Sequence, residues 1–408
     1  FTPSDVGREA TRFENLTFEN IEMDDIYIRP LVCTIDSGEA TRFDAFENIV
    51  FRLDNHNTPK ETLFSSQAEI KTGAAVDVRA SQDVSFDGCV FVNLGGWAVS
   101  FDGACRGGGI RSGVIADVGA GGVRIGTVDA SARGITVADC EIREGGRRDP
   151  GGPAIAAIKA HDCRFLRNEI RDFYYTGISV GWGWKVEEVP SSSHNEIAYN
   201  HIHDIGLRQL SDMGLVYLLC RQPGTRVHHN YLHDISHWGY GSTGIYPDEC
   251  SAHEEIDHNF VRNTGRSFHS NMVRDLNVHD NVFIDGSLVQ WDFSSNIGDK
   301  ENILHLHGNT FVWNGGLLAR RGISFKATAE ERKAFSAPFW QGLDLHDNVY
   351  WNRTGERRVF PSADIRAEDP PRLTLEEFQA ASGQERGSAF RDPGELDPLK
   401  VRGETGVR

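Results

Sequence analysis

Two acidic residues break the pattern that the rest of the chain repeats: Asp212 in LSDMGLVYLL and Asp248 in GIYPDEC. Their surroundings rhyme, a Gly and an apolar residue leading to Tyr217 in one and to Tyr246 in the other. Paired carboxyls can divide acid and base work: one protonates a leaving oxygen while the other attacks or activates water, as glycosidic-bond cleavage requires. Glu249, beside Asp248, is the substitute acid. Stacking Tyr217 on Tyr246 leaves the two aspartates about seven positions apart, or about 20 Å along a straight strand. The pair therefore meets only if the segment around Asp212 bends back. A carboxyl separation of about 5.5 Å would imply retention at the anomeric carbon, and about 6.5–9.5 Å inversion.

Aromatic and histidine side chains crowd the same stretch. Trp and Tyr stack well on the apolar faces of sugar rings, which makes Trp182, Trp184, Tyr217, Trp238, Tyr246 and Trp291 candidate platforms. Alternation along SVGWGW sets Trp182 and Trp184 on one face. His237 and His269 are candidate substrate contacts, and Arg274 and Gln290 candidate hydroxyl binders. Paired histidines occur at 201/203 and 228/229, but no carboxylate accompanies them at the spacing of a known zinc signature. His201 and His203 flank an inward apolar residue and so should face outward. Neither a metal ion nor a cofactor is expected.

A short repeat must position these groups. The unit N-x-apolar-x-D/N occurs as NEIRD (168–172), NHIHD (200–204), NYLHD (230–234), NFVRN (259–263), NVFID (281–285) and NVYWN (348–352), with NTFVW (309–313) as a variant. CVFVN, GVIAD and CEIRE continue it upstream, and successive units start 22 to 39 residues apart. Brief alternating apolar segments lie between units, separated by turn-forming residues. Such a period with several short strands per repeat predicts a parallel β-solenoid, all-β and a single domain. The leading Asn is expected at a corner, in left-handed backbone geometry, bonding its counterparts one coil away. Asp172, Asp204, Asp234 and Asp285 share the fifth position and read as corner residues. The solenoid is expected over 1–360, with an insertion at about 317–342. The tail 361–408 then forms an irregular C-terminal cap, with a helix over TLEEFQAAS starting from a Thr374/Glu377 capping box.

Composition narrows the partners. A net charge of −17 offers no broad positive field for nucleic acid or an anionic membrane, and no 18-residue apolar run spans a bilayer. A carbohydrate substrate is compatible with both, and the oligomeric state stays open. The seven scattered cysteines have no CxxC pair and read as buried thiols. The sequence opens on Phe1, which fits removal of a leader, and a secreted or periplasmic location is expected.

Residues 175–263 resemble the right-handed parallel β-helix glycosidases close to glycoside hydrolase family 141, the likeness running over about 150–280. It is carried by SDMG, QPGT, IHDI followed by YG, GIYPDE and a downstream His. The resemblance implies a right-handed helix and a pair of catalytic aspartates, which map onto Asp212 and Asp248. The family includes fucose-releasing and xylan-cleaving activities, so no substrate is fixed. Leu215 replaces a Gly of the family pattern, and Cys250 another after the acid pair. Two rivals remain from the residues themselves. One is a polysaccharide lyase or transglycosylase, for which Arg221, Arg226, Arg262, Arg266 and Arg274 offer positive charge. The other is a non-catalytic carbohydrate-binding solenoid.

Overall fold

The computed structural model describes residues 68–182, 190–295, 304–323, 328–334, 338–362 and 371–401, with five short strands between 11 and 52 placed by backbone alone. Successive coils stack as parallel strands. One row runs Arg164–Leu166, Glu196–Ala198, Arg226–His228, Glu255–Asp257 and Leu276–His279, each paired in parallel with the next. A second runs Glu141–Gly145, Glu169–Phe173, His201–Ile205 and Tyr231–Ile235. A third runs Ile178–Val180, Met213–Leu218 and Ser242–Pro247. The long strands Phe260–Asn271 and Val282–Ser295 join the second and third rows.

The repeat explains the core. Its middle residue points inward, and Ile142, Ile170, Ile202, Leu232, Val261, Phe283, Phe311 and Tyr350 form one buried column in register. The leading Asn builds a second column. Nδ2 of Asn168 donates to Oδ1 of Asn200 at 3.0 Å, Asn200 to Asn230 at 2.9 Å, and the chain of amides continues through Asn259, Asn281 and Asn309 to Asn348. Each Oδ1 also accepts the backbone N–H of the preceding Asn.

One expectation about this corner is corrected. The left-handed residue is not the Asn but the one before it: Arg167, Tyr199, His229, His258, Asp280 and Asp347 have φ between 53° and 59°. The Asn itself turns inward, where a buried amide can bond along the helix axis. The fifth-position residues Asp172, Asp204, Asp234, Asn263 and Asp285 are also left-handed, as corner residues should be.

At the C-terminal end the helix Leu375–Ser382 starts from the Thr374/Glu377 capping box. It sets Phe378 against Phe339, Trp340 and Phe360. Glu385, fully buried, accepts from Asn348 and closes the amide column. The expected insertion is partly regular: Leu317–Ile323 is a strand paired with Val282–Ser295, and Ala329–Ala334 a short helix. Cys89, Cys105, Cys140, Cys163 and Cys220 are buried thiols, whereas Cys250 is half-buried, and the side chain of Cys33 lies outside the described residues. No described helix is long and apolar enough to cross a membrane.

Replacing Asn230 by Ala orphans donors of Asn200 and the carbonyl of Ile197. The expected cost is about 1–3 kcal/mol, read as a lower urea midpoint at unchanged slope.

Candidate active site

Register places the site. On the outer face of the third row, Ser179 aligns with Tyr217 and Tyr217 with Tyr246; the inward pair Ile245 and Phe268 sets Tyr246 beside His269, which aligns with Asp292 and then Arg320. Tyr217 and Tyr246 pack edge to face with ring centroids 5.0 Å apart, and Tyr246 meets His269 at 4.7 Å. With Leu219, the two tyrosines form a small buried cluster separate from the solenoid interior.

The tyrosines bring the two aspartates together. Tyr217 donates its hydroxyl to Oδ2 of Asp248, and Tyr246 donates to Oδ1 of Asp212 at 3.2 Å. The required bend is present: Asp212 has φ 58°, its N–H bonds Gly241 O, and its carbonyl accepts the Tyr175 hydroxyl at 3.1 Å. Both tyrosine hydroxyls are raised well above their usual range, by burial first and then by the charges of Asp248 and Asp212.

Asp248 is 5% exposed. Burial pushes its carboxyl up to about 6, against the hydrogen bonds from Tyr217 and from Asn271 Nδ2 at 2.8 Å, which favour the ionised form; the charge of Asp212 adds to the rise. Glu249 is as buried, and its backbone carbonyl accepts the Cys220 N–H at 3.2 Å.

A basic cluster borders the acids. Burial lifts Asp292, but His269, Arg320 and Arg266 outweigh it and hold the carboxyl below its usual range. Arg266 reaches Asp292 at 3.1 Å and lies 4.6 Å over the Tyr240 ring, while Arg320 contacts the same carboxylate. Gly241, at φ 132°, makes room for this guanidinium, since a Cβ there would lie 2.3 Å from Arg266 Nη1. Burial keeps His269 below the ordinary histidine range, and Tyr240 Oη stands 3.5 Å from its Nε2.

The remaining expected site residues divide. Trp238, 71% exposed, and Tyr240, 54% exposed, project from the loop before Ser242–Pro247. His237 bonds Ser242 Oγ at 3.1 Å and, with Arg208, Asn263 and Ser287, lines a neighbouring surface groove. Trp182 is half-buried against the core, and Trp184 lies outside the described residues. Arg274 is exposed at the following corner, in register with Ala252.

Four expected sugar contacts are corrected: Tyr217 and Tyr246 are buried against each other and offer no stacking face, and two more residues lie in the interior. Trp291 is inside the solenoid, stacked on Phe293 and edge-on to Phe339, and Gln290 is fully buried, its amide bonded to both backbone groups of Gly286. The physical reason is a one-residue bulge. Thr264 pairs with Gly286, but Arg266 pairs with Val289, so His269 aligns with Asp292 and not with Trp291. Sequence reasoning missed Asn271, Asp292 and Arg320. The signal for Asp292 was the register, readable only once the bulge is known.

Linkage gives a stability test. Asp248's folded pKa, about 6, lies above the ordinary aspartate value of 3.8, so the native state binds more protons and loses stability as pH rises between those values. Asp248→Asn should abolish up to about 3 kcal/mol of that loss, measured by urea unfolding at pH 4 and pH 7.

Residues 74–261 match the family model described as the right handed beta helix region. No curated protein matches the chain. Among solved structures, the chain is similar to one titled glycoside hydrolase, at 19% identity and TM-score 0.47, over 74% of this chain and 51% of that one. It is also similar to XylC, solved in complex with xylose, at 10% identity and TM-score 0.46, over 90% and 56%. A third is PfbA, a surface adhesin of Streptococcus pneumoniae, at 10% identity and TM-score 0.47, over 88% and 80%. The chain thus spans about half the length of the first two. With its stacked parallel rows and this family match, the chain is a right-handed parallel β-helix.

Proposed function

We propose that the protein is a glycoside hydrolase, acting on a poly- or oligosaccharide with Asp248 as general acid and Asp212 as nucleophile or base, in keeping with its resemblance to glycoside hydrolase family 141. One observation carries this reading. Asp248 is a buried carboxyl, pushed up to about 6, tied through Tyr217 and Tyr246 to a second and less buried carboxyl. A carboxyl that burial keeps protonated beside a second carboxyl is suited to the acid role of such a pair. Asp248 is preferred to Glu249 because Tyr217 and Asn271 fix its two oxygens.

In the proposed reaction, protonated Asp248 gives its proton to the glycosidic oxygen as the bond to the anomeric carbon breaks. Asp212 meets the developing positive charge, either attacking directly or taking a proton from water. Tyr246 holds Asp212 in place. The exposed rings of Trp238 and Tyr240 provide stacking surface for sugar units. A location where polysaccharide is met, secreted or periplasmic, belongs to the same reading.

The lyase rival needs free positive charge for a uronate and a strong base. Arg266 and Arg320 are both engaged by Asp292, and both site tyrosines are raised, so the hydrolase is favoured.

Asp212→Asn and Asp248→Asn should each lower kcat roughly 10²–10⁴-fold on whichever glycoside a panel of aryl glycosides and polysaccharides identifies. Near-normal turnover in both would sink the proposal, and unsaturated products absorbing in the near ultraviolet would assign a lyase. Because the acid must be protonated, activity should fall as pH rises through about 6. Tyr217→Phe, which removes a hydrogen bond favouring the carboxylate, should move that limb to higher pH.

A further inference from the structure

A second constellation of ionisable groups lies on the neighbouring row, outside the site above. On Glu169–Phe173, His201–Ile205 and Tyr231–Ile235, register aligns Glu169 with His201, and Arg171 with His203 and His233. These residues flank the inward Ile170, Ile202 and Leu232, so their side chains share the outer face. We infer that His201, His203 and His233, with Glu169 at the rim, bind one divalent transition-metal ion that ties three successive coils together.

The ligand atoms already converge. One nitrogen from each histidine lies within 4.8 Å of the others. Nε2 of His201 and Nε2 of His233 are 2.8 Å apart. Nε2 of His203 is 3.5 Å from Glu169 Oε1, and Nδ1 of His201 is 3.8 Å from Glu169 Oε2. Ligands on one tetrahedral zinc at about 2.0–2.1 Å lie about 3.3 Å apart, so the His201–His233 pair would open by about half an ångström and the other pair separations change by at most about 1.5 Å to seat the ion.

The outer partners are also those of a metal site. Asp204 takes the Nδ1 hydrogen of His203 at 2.7 Å, and Asp234 that of His233 at 2.6 Å. Asp234 is itself held by Asn263 Nδ2 at 2.9 Å. A carboxylate on Nδ1 fixes the tautomer that presents an Nε2 lone pair and raises its basicity. The Nε2 lone pair of His203 then faces a carboxylate oxygen, two acceptors that a shared cation would satisfy. Imidazole donors select zinc-class ions over calcium or magnesium, which prefer oxygen. His203 and His233 are mostly buried and Glu169 half exposed, leaving an entry path on one side. The other converging group, Glu255, Asp257 and His279, is a weaker candidate. Arg226 already supplies its cation, contacting Asp257 through two bonds of 2.7 Å.

The test uses the whole chain, stripped with a chelator and titrated with Zn²⁺ by calorimetry at pH 7.5. One equivalent should bind, with a rise in thermal midpoint. The double variant His203→Ala/His233→Ala should lose affinity at least 100-fold, and Asp234→Asn, which keeps every ligand, about 10–100-fold. His279→Ala should leave the isotherm unchanged. Far-ultraviolet circular dichroism checks that each variant is folded, as expected for outward-facing residues. No binding by the unaltered chain, or the same affinity in the double variant, overturns the inference. No activity is read, so either outcome leaves the roles of Asp212 and Asp248 to their own test.

Discussion

The structure depends on one constraint: every coil must repeat in register on the one before, and a buried column of amides enforces it. In the column from Asn168 through Asn200, Asn230, Asn259, Asn281 and Asn309 to Asn348, each amide donates to the next, inside the corner. A slip of one residue would break two hydrogen bonds per coil and turn the inward column of Ile170, Ile202, Leu232 and Val261 to the surface. The amides run along the helix axis, so their bonds polarise one another in a dry setting. Glu385 ends the series with a carboxyl that burial raises, and the C-terminal helix shields that end.

Fixed register makes the outer face a set of rows, and the row through Tyr217 shows what that does to chemistry. Parallel strands are about 4.8 Å apart, so any group sits one strand spacing from its counterparts above and below. Two tyrosines, a histidine, an aspartate and an arginine succeed one another on this row. Their rings exclude water from Asp248, which raises its carboxyl, while His269 and the arginines beside Asp292 lower that one. Two carboxyls a few coils apart are thereby driven in opposite directions by their neighbours alone.

Much of this was legible in the sequence, for different reasons. The pentamer gave the solenoid, the inward column and the amide column, because Asn in each unit has no other local explanation. It misplaced the left-handed residue by one, since a corner of this kind takes almost any residue before the Asn, as Arg167, Tyr199 and His258 show. Asp212 and Asp248 were found by subtraction, as acids outside the repeat. The bend joining them was not legible, because it rests on Tyr175 reaching the Asp212 carbonyl from an earlier coil. Trp291 and Gln290 were misread because an added residue between Gly286 and Val289 changes the offset to the coil before, and no turn motif marks it.

The same spacing explains why histidines accumulate on the outer rows without a run of acids at metal-binding intervals. His229 stacks on His258 at 4.9 Å, and His279, His307 and His346 stack in turn at 5.1 and 4.6 Å. Stacked imidazoles cannot all be charged at that distance, and His229 is held down at about 4 by burial and by its histidine neighbours. Neutral rings offer lone pairs, and the corner aspartates supply the carboxylates that orient them, as at Asp204 and Asp234. In a solenoid the ligands of a site therefore come from neighbouring outward positions on adjacent coils, as His201 and His203 on one coil and His233 on the next. Only the first two are close in sequence, and the third lies one coil length away.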